Sequence, residues 1–153
     1  MPDYSQIPDE SCIDREIKKA GVGRYILTAV SCEPKDPNMS PMNVDFTWVV
    51  RFRPEQTGAD CDFYDVQEYW SFFGKPKNDK RPSRIGWLMG KAAKVLGWKP
   101  TTGKDLQRVC DELNEGVYRM EADLIENEKE GKTYININWD TVITLPKSEK
   151  VPF

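Results

Sequence analysis

The chain has 153 residues, a length that suits one domain with a buried core. It contains 5 Trp, 6 Tyr and 6 Phe, which is not the composition of a disordered protein. It has no histidine, and its 4 cysteines form no Cys-x-x-Cys pair, which argues against the usual zinc sites and histidine-dependent catalysis. We therefore expect no metal, no cofactor and no enzymatic activity. A nuclease with a carboxylate-bound metal is the enzymatic alternative, although no compact motif gathers the acidic residues.

The net charge is −3 and the pI is near 5.1, which by itself disfavours nucleic acid as a partner. The charge is unevenly distributed along the chain. Lysine and arginine dominate residues 75–108, whereas acidic residues concentrate in residues 1–16 and 111–130. Because salt screens charges beyond about 8 Å at physiological ionic strength, the local excess of cations matters more than the total.

The N-terminal segment, residues 1–22, is expected to be an arm or a cap on the domain. Its beginning, MPDYSQIPDES, lacks the basic start and apolar centre of a signal peptide, and no stretch approaches the roughly 20 apolar residues of a membrane span. Ile13 and Ile17 are spaced as on one helix face, which predicts a short helix over residues 14–20. We expect a soluble cytoplasmic protein with no membrane contact.

Two strand patterns follow this segment. In GRYILTAVSCE, Tyr25, Leu27 and Ala29 alternate with residues that would face the other side. In NVDFTWVVRFR the alternation is strict, and Arg51 and Arg53 belong to the register that faces outward. The opposite, apolar register predicts the buried face of this second strand; it consists of Val44, Phe46, Trp48, Val50 and Phe52.

The third strand pattern, DFYDVQEYWSFF, carries aromatic residues in both registers. The register with Asp65, Gln67 and Ser71 is the more polar, so we expect it to face outward with Trp70 in the core. This choice places three aromatic side chains outside, beside Arg51 and Arg53; they are Phe63, Tyr69 and Phe73. It also places Glu68 in the buried register, where a carboxylate requires hydrogen-bond donors or a cation.

A basic loop, GKPKNDKRPSR, comes directly after the third strand; its cations are Lys75, Lys77, Lys80, Arg81 and Arg84. Exposed rings beside a cationic loop suit a single-stranded nucleic acid, because bases stack on rings while phosphates are attracted by lysine and arginine. The alternative is that the rings belong to the core and the lysines form a solvated loop.

Two helices are predicted after this loop. Ser83 is a good N-cap, and apolar residues recur at helical spacing from Ile85 until Gly97. A second helix, with an apolar stripe between residues 106 and 113, stops at Gly116. The last third then alternates as two strands joined by a turn over residues 127–131, which predicts an antiparallel hairpin.

The order of elements is three strands, a helical segment and two strands. This order predicts a mainly β (α+β) fold, a five-stranded Greek-key barrel of OB type with a helical insertion between strands 3 and 4. Such barrels bind oligonucleotides on strands 2 and 3. We assign residues 1–22 to the arm or cap, 23–146 to the OB-type domain and 147–153 to a C-terminal tail.

Three segments resemble phage-encoded single-stranded DNA-binding proteins of OB type: GRYILTAVSCE, RIGWLMGKAAKVLGW and EGVYRMEADLIENEKEGKTYININ. The resemblance covers most of the chain after residue 20 and is one of layout. It implies binding of single-stranded DNA in phage DNA replication or recombination, without catalysis, in the host cytoplasm. A homo-oligomer is compatible with this reading.

The C-terminal tail, KSEKVPF, is similar to the ends of bacterial single-stranded DNA-binding proteins. Those proteins close on Pro-Phe, which Pro152 and Phe153 match, and dock on replication and recombination proteins. Lys147 and Lys150 interrupt the acidic run that precedes the Pro-Phe in that family. The alternative function for the whole chain is a protein-binding module, a phage factor that inhibits or recruits a host enzyme through the same exposed aromatics.

Overall fold

The computed structural model describes residues 16–35, 45–73 and 85–148. Five of its strands form one antiparallel sheet: β2 (Gly23–Pro34), β3 (Asp45–Glu55), β5 (Val66–Phe73), β6 (Arg119–Lys129) and β7 (Lys132–Thr144). Their order across the sheet is β5-β3-β2-β6-β7. Two shorter strands, β1 (Ile17–Lys18) and β4 (Asp62–Phe63), pair in parallel beside it. The expected mainly β class with five strands is therefore confirmed.

Two helices lie between the third and fourth strands of the sheet, as predicted: α1 (Ile85–Leu96) and α2 (Leu106–Leu113). Helix α1 ends at Gly97, whose φ of 81° is the left-handed conformation that glycine adopts after a helix. A 3₁₀ turn, Gly103–Asp105, precedes α2, and the Asp105 carboxylate accepts hydrogen bonds from the N–H groups of Thr101 and Thr102. Neither helix is long and apolar enough to cross a membrane.

The core lies between the inner face of the sheet and the two helices. The predicted alternation is confirmed in the described strands except at Val49 and at a register shift in β2, because the other buried side chains recur at every second position. Those that follow the alternation are Tyr25, Leu27, Ala29, Trp48, Val50, Phe52, Val66, Trp70, Met120, Ala122, Leu124 and Ile137. Leu88, Ala92 and Val95 on α1 and Val109 and Leu113 on α2 cover them.

Strand β2 changes register in the middle. The pairing with β3 shifts between Ala29 and Ser31, and such a bulge adds one residue to the bulged strand. Cys32, rather than Ser31, therefore turns into the core, where it is 2% exposed. The side-chain amide of Asn114, just after α2, holds this position: its Oδ1 accepts from Cys32 N at 2.9 Å and its Nδ2 donates to Cys32 O at 2.9 Å.

A buried carboxylate, Glu112, joins α2 to its neighbours. It accepts hydrogen bonds from Trp98 Nε1 at 2.8 Å, Tyr118 OH at 2.8 Å and Arg108 Nε at 2.7 Å. Burial by itself would raise the pKa of Glu112, but these hydrogen bonds and the charge of Arg108 outweigh it and lower the pKa below its ordinary value. Burial and the hydrogen bond to Glu112 raise the pKa of Tyr118 to about 12.

Two local predictions are wrong. Residues 17–18 form an extended strand and not a helix, because Asp62 N donates to Glu16 O at 2.9 Å and Tyr64 N to Lys18 O at 3.0 Å. The third strand pattern is likewise two strands, β4 and β5, separated by Tyr64 and Asp65. The pairing of β1 with β4 gives this segment backbone partners that a lone helical turn would lack.

The two edge strands of the sheet, β5 and β7, are linked through the side chain of Glu68. Its carboxylate accepts hydrogen bonds from Trp70 Nε1 at 2.7 Å and from Trp139 Nε1, on the opposite edge strand, at 2.8 Å. Lys91 on α1 lies 3.2 Å away and its Nζ stands 5.2 Å from the centre of the Trp139 ring. In the described residues no backbone ladder joins β5 to β7, so the sheet is not closed into a barrel.

The hairpin of β6 and β7 is longer than predicted. Its strands pair as far as Lys129 and Lys132, and the turn itself is Glu130-Gly131, both with positive φ (54° and 76°). Two consecutive residues with positive φ are the signature of a type I′ turn, whose twist matches that of the strands. Residues 126–134 are all exposed, so the end of this hairpin extends beyond the core.

Candidate nucleic-acid interface

The outward side chains of β3 and β5 form a continuous surface on the side of the sheet away from the helices, which we call the β3–β5 face. Because side chains alternate along a strand, every second residue of each strand contributes to it. Its members are Thr47, Val49, Arg51 and Arg53 on β3 and Gln67, Tyr69 and Ser71 on β5. Cross-strand pairing places Thr47 beside Ser71, Val49 beside Tyr69 and Arg51 beside Gln67.

Tyr69 is an exposed aromatic residue of this face, with 57% of its surface accessible, as predicted. Lys35 places its Nζ 5.3 Å from the centre of the Tyr69 ring. Val49, which pairs with Tyr69 and belongs to the same register of β3 as Arg51 and Arg53, is only 7% exposed. Its burial is consistent with a large side chain beside it, since cross-strand neighbours are about 5 Å apart. An accessible ring next to a cation is an arrangement that can stack a base and hold its phosphate.

Arg51 and Arg53 supply the cations of the face. Arg51 Nη1 lies 3.5 Å from Ser31 Oγ and 3.7 Å from a carboxylate oxygen of Glu33. Arg53 Nε lies 3.5 Å from a carboxylate oxygen of Asp65, and 54% of its side chain is exposed. Ion pairs of this length at the surface are weak, commonly below 1 kcal/mol. Both guanidinium groups are therefore available to a stronger anionic partner.

Phe63 does not belong to this face, contrary to the prediction. It lies on β4, and its ring packs edge-on against Tyr25 with 5.3 Å between the ring centres. The ring is therefore part of the margin of the core and cannot stand beside Tyr69. Trp70 occupies the buried register, as predicted, with 2% exposure.

The whole of the cationic loop, residues 74–84, lies outside the described residues. The backbone of Phe73 ends β5 opposite Asp45, but its side chain is not among those described. The loop cations and the two tail residues also lie outside the described ranges; they are Lys75, Lys77, Lys80, Arg81, Arg84, Pro152 and Phe153. Their assignment to nucleic-acid or partner binding stays a prediction.

Two cations near this face were missed by the sequence reasoning. Lys35 directly follows β2, and only the fold brings it over the Tyr69 ring. Arg119 on β6 is in register with Thr28, which is itself paired with Arg53. No local pattern marks either residue, because each is placed by pairing between strands far apart in the chain.

On the outward surface of β2 and β6, a cation and two carboxylates compensate one another's charge. Arg24 on β2 contacts two carboxylates of β6, Glu121 at 3.0 Å and Asp123 at 3.2 Å, and donates to the carbonyl of Thr141 at 2.9 Å. Its charge is therefore compensated within the sheet. Within the described ranges, no group of three or more cysteine, aspartate or glutamate side chains could hold a metal ion.

Comparison of the chain with family models, curated proteins and solved structures gives no significant match. The interpretation of this surface therefore depends on its own geometry and chemistry.

Proposed function

We propose that this protein binds single-stranded DNA without catalysis, through base stacking on Tyr69 and phosphate contacts from surrounding cations. The observation that carries the proposal is the exposed Tyr69 ring on the β3–β5 face, with Lys35 over it and Arg51 one pair of residues away. Stacking on such a ring contributes about 1 to 3 kcal/mol per base and tolerates any sequence.

We further propose that the sheet forms an OB-type barrel in which side chains, rather than backbone hydrogen bonds, connect the two edge strands, β5 and β7. Its strand order places β5 and β7 at the two edges, and these are the third and fifth strands of the five. The hydrogen bond from Trp139 to Glu68 and the contact between the Trp70 and Trp139 rings, 5.9 Å apart, support their approach. In this arrangement β3 and β5 are the second and third strands, which are the ones that present bases in OB folds.

The predicted cationic loop, residues 74–84, connects β5 to α1 in the sequence. In the proposed mode of binding, its lysines and arginines add phosphate contacts to those around Tyr69. The process implied by the sequence resemblance is phage DNA replication or recombination. The total charge of −3 does not oppose this mode, because charges are screened beyond about 8 Å and the carboxylates near Arg51 and Arg53 form only long surface ion pairs, of 3.7 and 3.5 Å.

The decisive measurement is the anisotropy of a fluorescently labelled oligo-dT titrated with the full chain at increasing salt. Binding should weaken linearly on a logarithmic scale, with a slope of about 0.7 for each phosphate contacted. Labelled double-stranded DNA of the same length serves as the comparison, because stacking on Tyr69 requires unpaired bases. Absence of oligo-dT binding at the lowest salt would reject the proposal and favour the protein-binding module.

A further inference from the structure

A row of three side chains begins at Arg53, at the end of the β3–β5 face, and crosses the sheet to β6. Thr28 on β2 is the partner of Arg53 on β3 and also of Arg119 on β6. Neighbouring strands are about 4.8 Å apart, so the Cα atoms of the two arginines are about 10 Å apart. The row therefore sets two guanidinium groups on either side of one small hydroxyl residue.

An open groove of about 270 Å³ lies along this row; its lining is Thr28, Val30, Arg53, Glu55, Gly116, Arg119 and Ser148. Among the described residues no aromatic side chain lines it, so this lining offers no surface for stacking a base. Gly116, with a φ of 74°, contributes backbone without a side chain at this wall. The groove therefore suits the sugar–phosphate backbone better than a nucleobase.

The charge of Arg119 is the least compensated in the groove. Its Nε and Nη2 donate to the carbonyl oxygen of Pro146 at 3.3 and 3.1 Å, which fixes the guanidinium without neutralising it. No carboxylate in the described part of the chain forms an ion pair with it, in contrast to Arg24, which contacts two. Arg53 shares only the 3.5 Å contact with Asp65. Glu55 is the acidic residue of the lining and opposes an anion.

The groove is continuous with the β3–β5 face. Tyr69 pairs with Val49, and Arg51 and Arg53 follow at two-residue intervals along β3. At about 3.3 Å per residue, each interval is about 7 Å. Cations thus continue from the stacking ring toward the groove, and Arg119 ends the series on β6.

We infer that the groove between Arg53 and Arg119 binds a backbone phosphate of the same single strand whose base stacks on Tyr69. This inference rests on the proposed function and extends it. The bound DNA would continue from β3 and β5 across β2 to β6. A phosphodiester carries one negative charge and acceptor oxygens, which match two guanidinium groups and the Thr28 hydroxyl.

The test uses the full chain with Arg119→Gln and labelled oligo-dT of increasing length, from about 4 to 16 nucleotides, which spans the usual site sizes. Long oligonucleotides should bind about tenfold more weakly, the effect of losing one charge-assisted hydrogen bond. The salt slope should fall by about 0.7. The shortest oligonucleotides with measurable affinity should bind the wild type and Arg119→Gln equally well, because they reach Tyr69 without entering the groove.

Matched variants separate this effect from charge and folding. Lys104→Gln removes the same charge on the helix side and should leave affinity and slope unchanged. Arg119→Lys keeps the charge and should keep the slope while losing part of the affinity. Glu55→Gln should strengthen binding of long oligonucleotides. Inorganic phosphate at constant ionic strength should compete poorly, since the groove is expected to hold a phosphate delivered by the strand.

Three results would overturn the inference. If Arg119→Gln matches the wild type at every length while Tyr69→Ala loses binding, the proposed function stands and the groove is not on the path. If inorganic phosphate displaces long oligonucleotides from the wild type, the groove is a free-anion site. If the wild type binds no oligonucleotide, both proposals fail.

Discussion

Replacing Tyr69 by alanine separates binding from folding at the centre of the β3–β5 face. The side chain is 57% exposed, and substitutions at such surface positions usually change the free energy of unfolding by no more than about 0.5 kcal/mol. Loss of one stacked base should cost about 1 to 3 kcal/mol of binding free energy. The dissociation constant for oligo-dT should therefore rise about 5- to 150-fold while the melting temperature stays nearly unchanged.

The neighbouring residue, Trp70, should behave in the opposite way. It is 2% exposed, and its ring centre lies 6.3 Å from that of Phe52 and 5.9 Å from that of Trp139. Its Nε1 donates a hydrogen bond to Glu68. Trp70→Ala should lower the free energy of unfolding by about 3 to 5 kcal/mol, because it leaves a cavity and removes one donor to a carboxylate. For a chain of this length that is a fall in melting temperature of about 6 to 20 °C.

The assay is anisotropy of labelled oligo-dT at low salt, with thermal melts of each variant. Tyr64→Ala is the matched control, because Tyr64 has the same exposure, 57%, but lies between β4 and β5, outside the β3–β5 face. Tyr69→Phe should retain binding, since it keeps the ring. The reasoning is refuted if Tyr64→Ala and Tyr69→Ala weaken binding equally, or if Tyr69→Ala unfolds the protein.

Three further outcomes are expected. Neutralising the loop after β5 should weaken oligo-dT binding and reduce its salt slope, about 0.7 per lost contact; the four alanine substitutions are at Lys75, Lys77, Lys80 and Arg81. Glu68→Ala should lower the free energy of unfolding by about 3 kcal/mol in urea, because Trp70, Trp139 and Lys91 lose their common partner. The pKa of Glu112 is lowered in the fold, so its contribution to stability should be complete above the ordinary carboxyl pKa and disappear as the pH falls through the lowered value.

Each of these has a contradicting result. Unchanged affinity and slope in the quadruple variant would make the loop a solvated connection. If Glu68→Ala unfolds at the same urea concentration as the wild type, the carboxylate does not stabilise the contact between β5 and β7. For Glu112, the difference in unfolding free energy between wild type and Glu112→Gln should shrink from pH 7 toward pH 3. A difference that grows toward low pH would contradict the sign of the pKa shift.

The alternation of apolar residues was enough to orient most strands. Leu27, Val50 and Met120 are completely buried where the period-two pattern placed them, because side chains of a strand alternate whatever its partners are. The helices were equally readable from their apolar stripes, and Gly97 ends α1 as its position indicates. The same local rules misassigned residues 17–18, since a two-residue strand depends on a partner, β4, that lies more than forty positions along the chain.

The sequence by itself determined the class of fold, the order of its elements, the exposed position of Tyr69 and the buried position of Trp70. These follow from periodicity and capping, which act between residues close in the chain. Only the tertiary structure decided that the partly buried Glu68 accepts hydrogen bonds from three donors, that Phe63 packs on Tyr25, and that Arg53 and Arg119 flank Thr28. Such relations depend on register between distant strands, which is set by the packing of the whole core and by bulges that a local pattern does not encode.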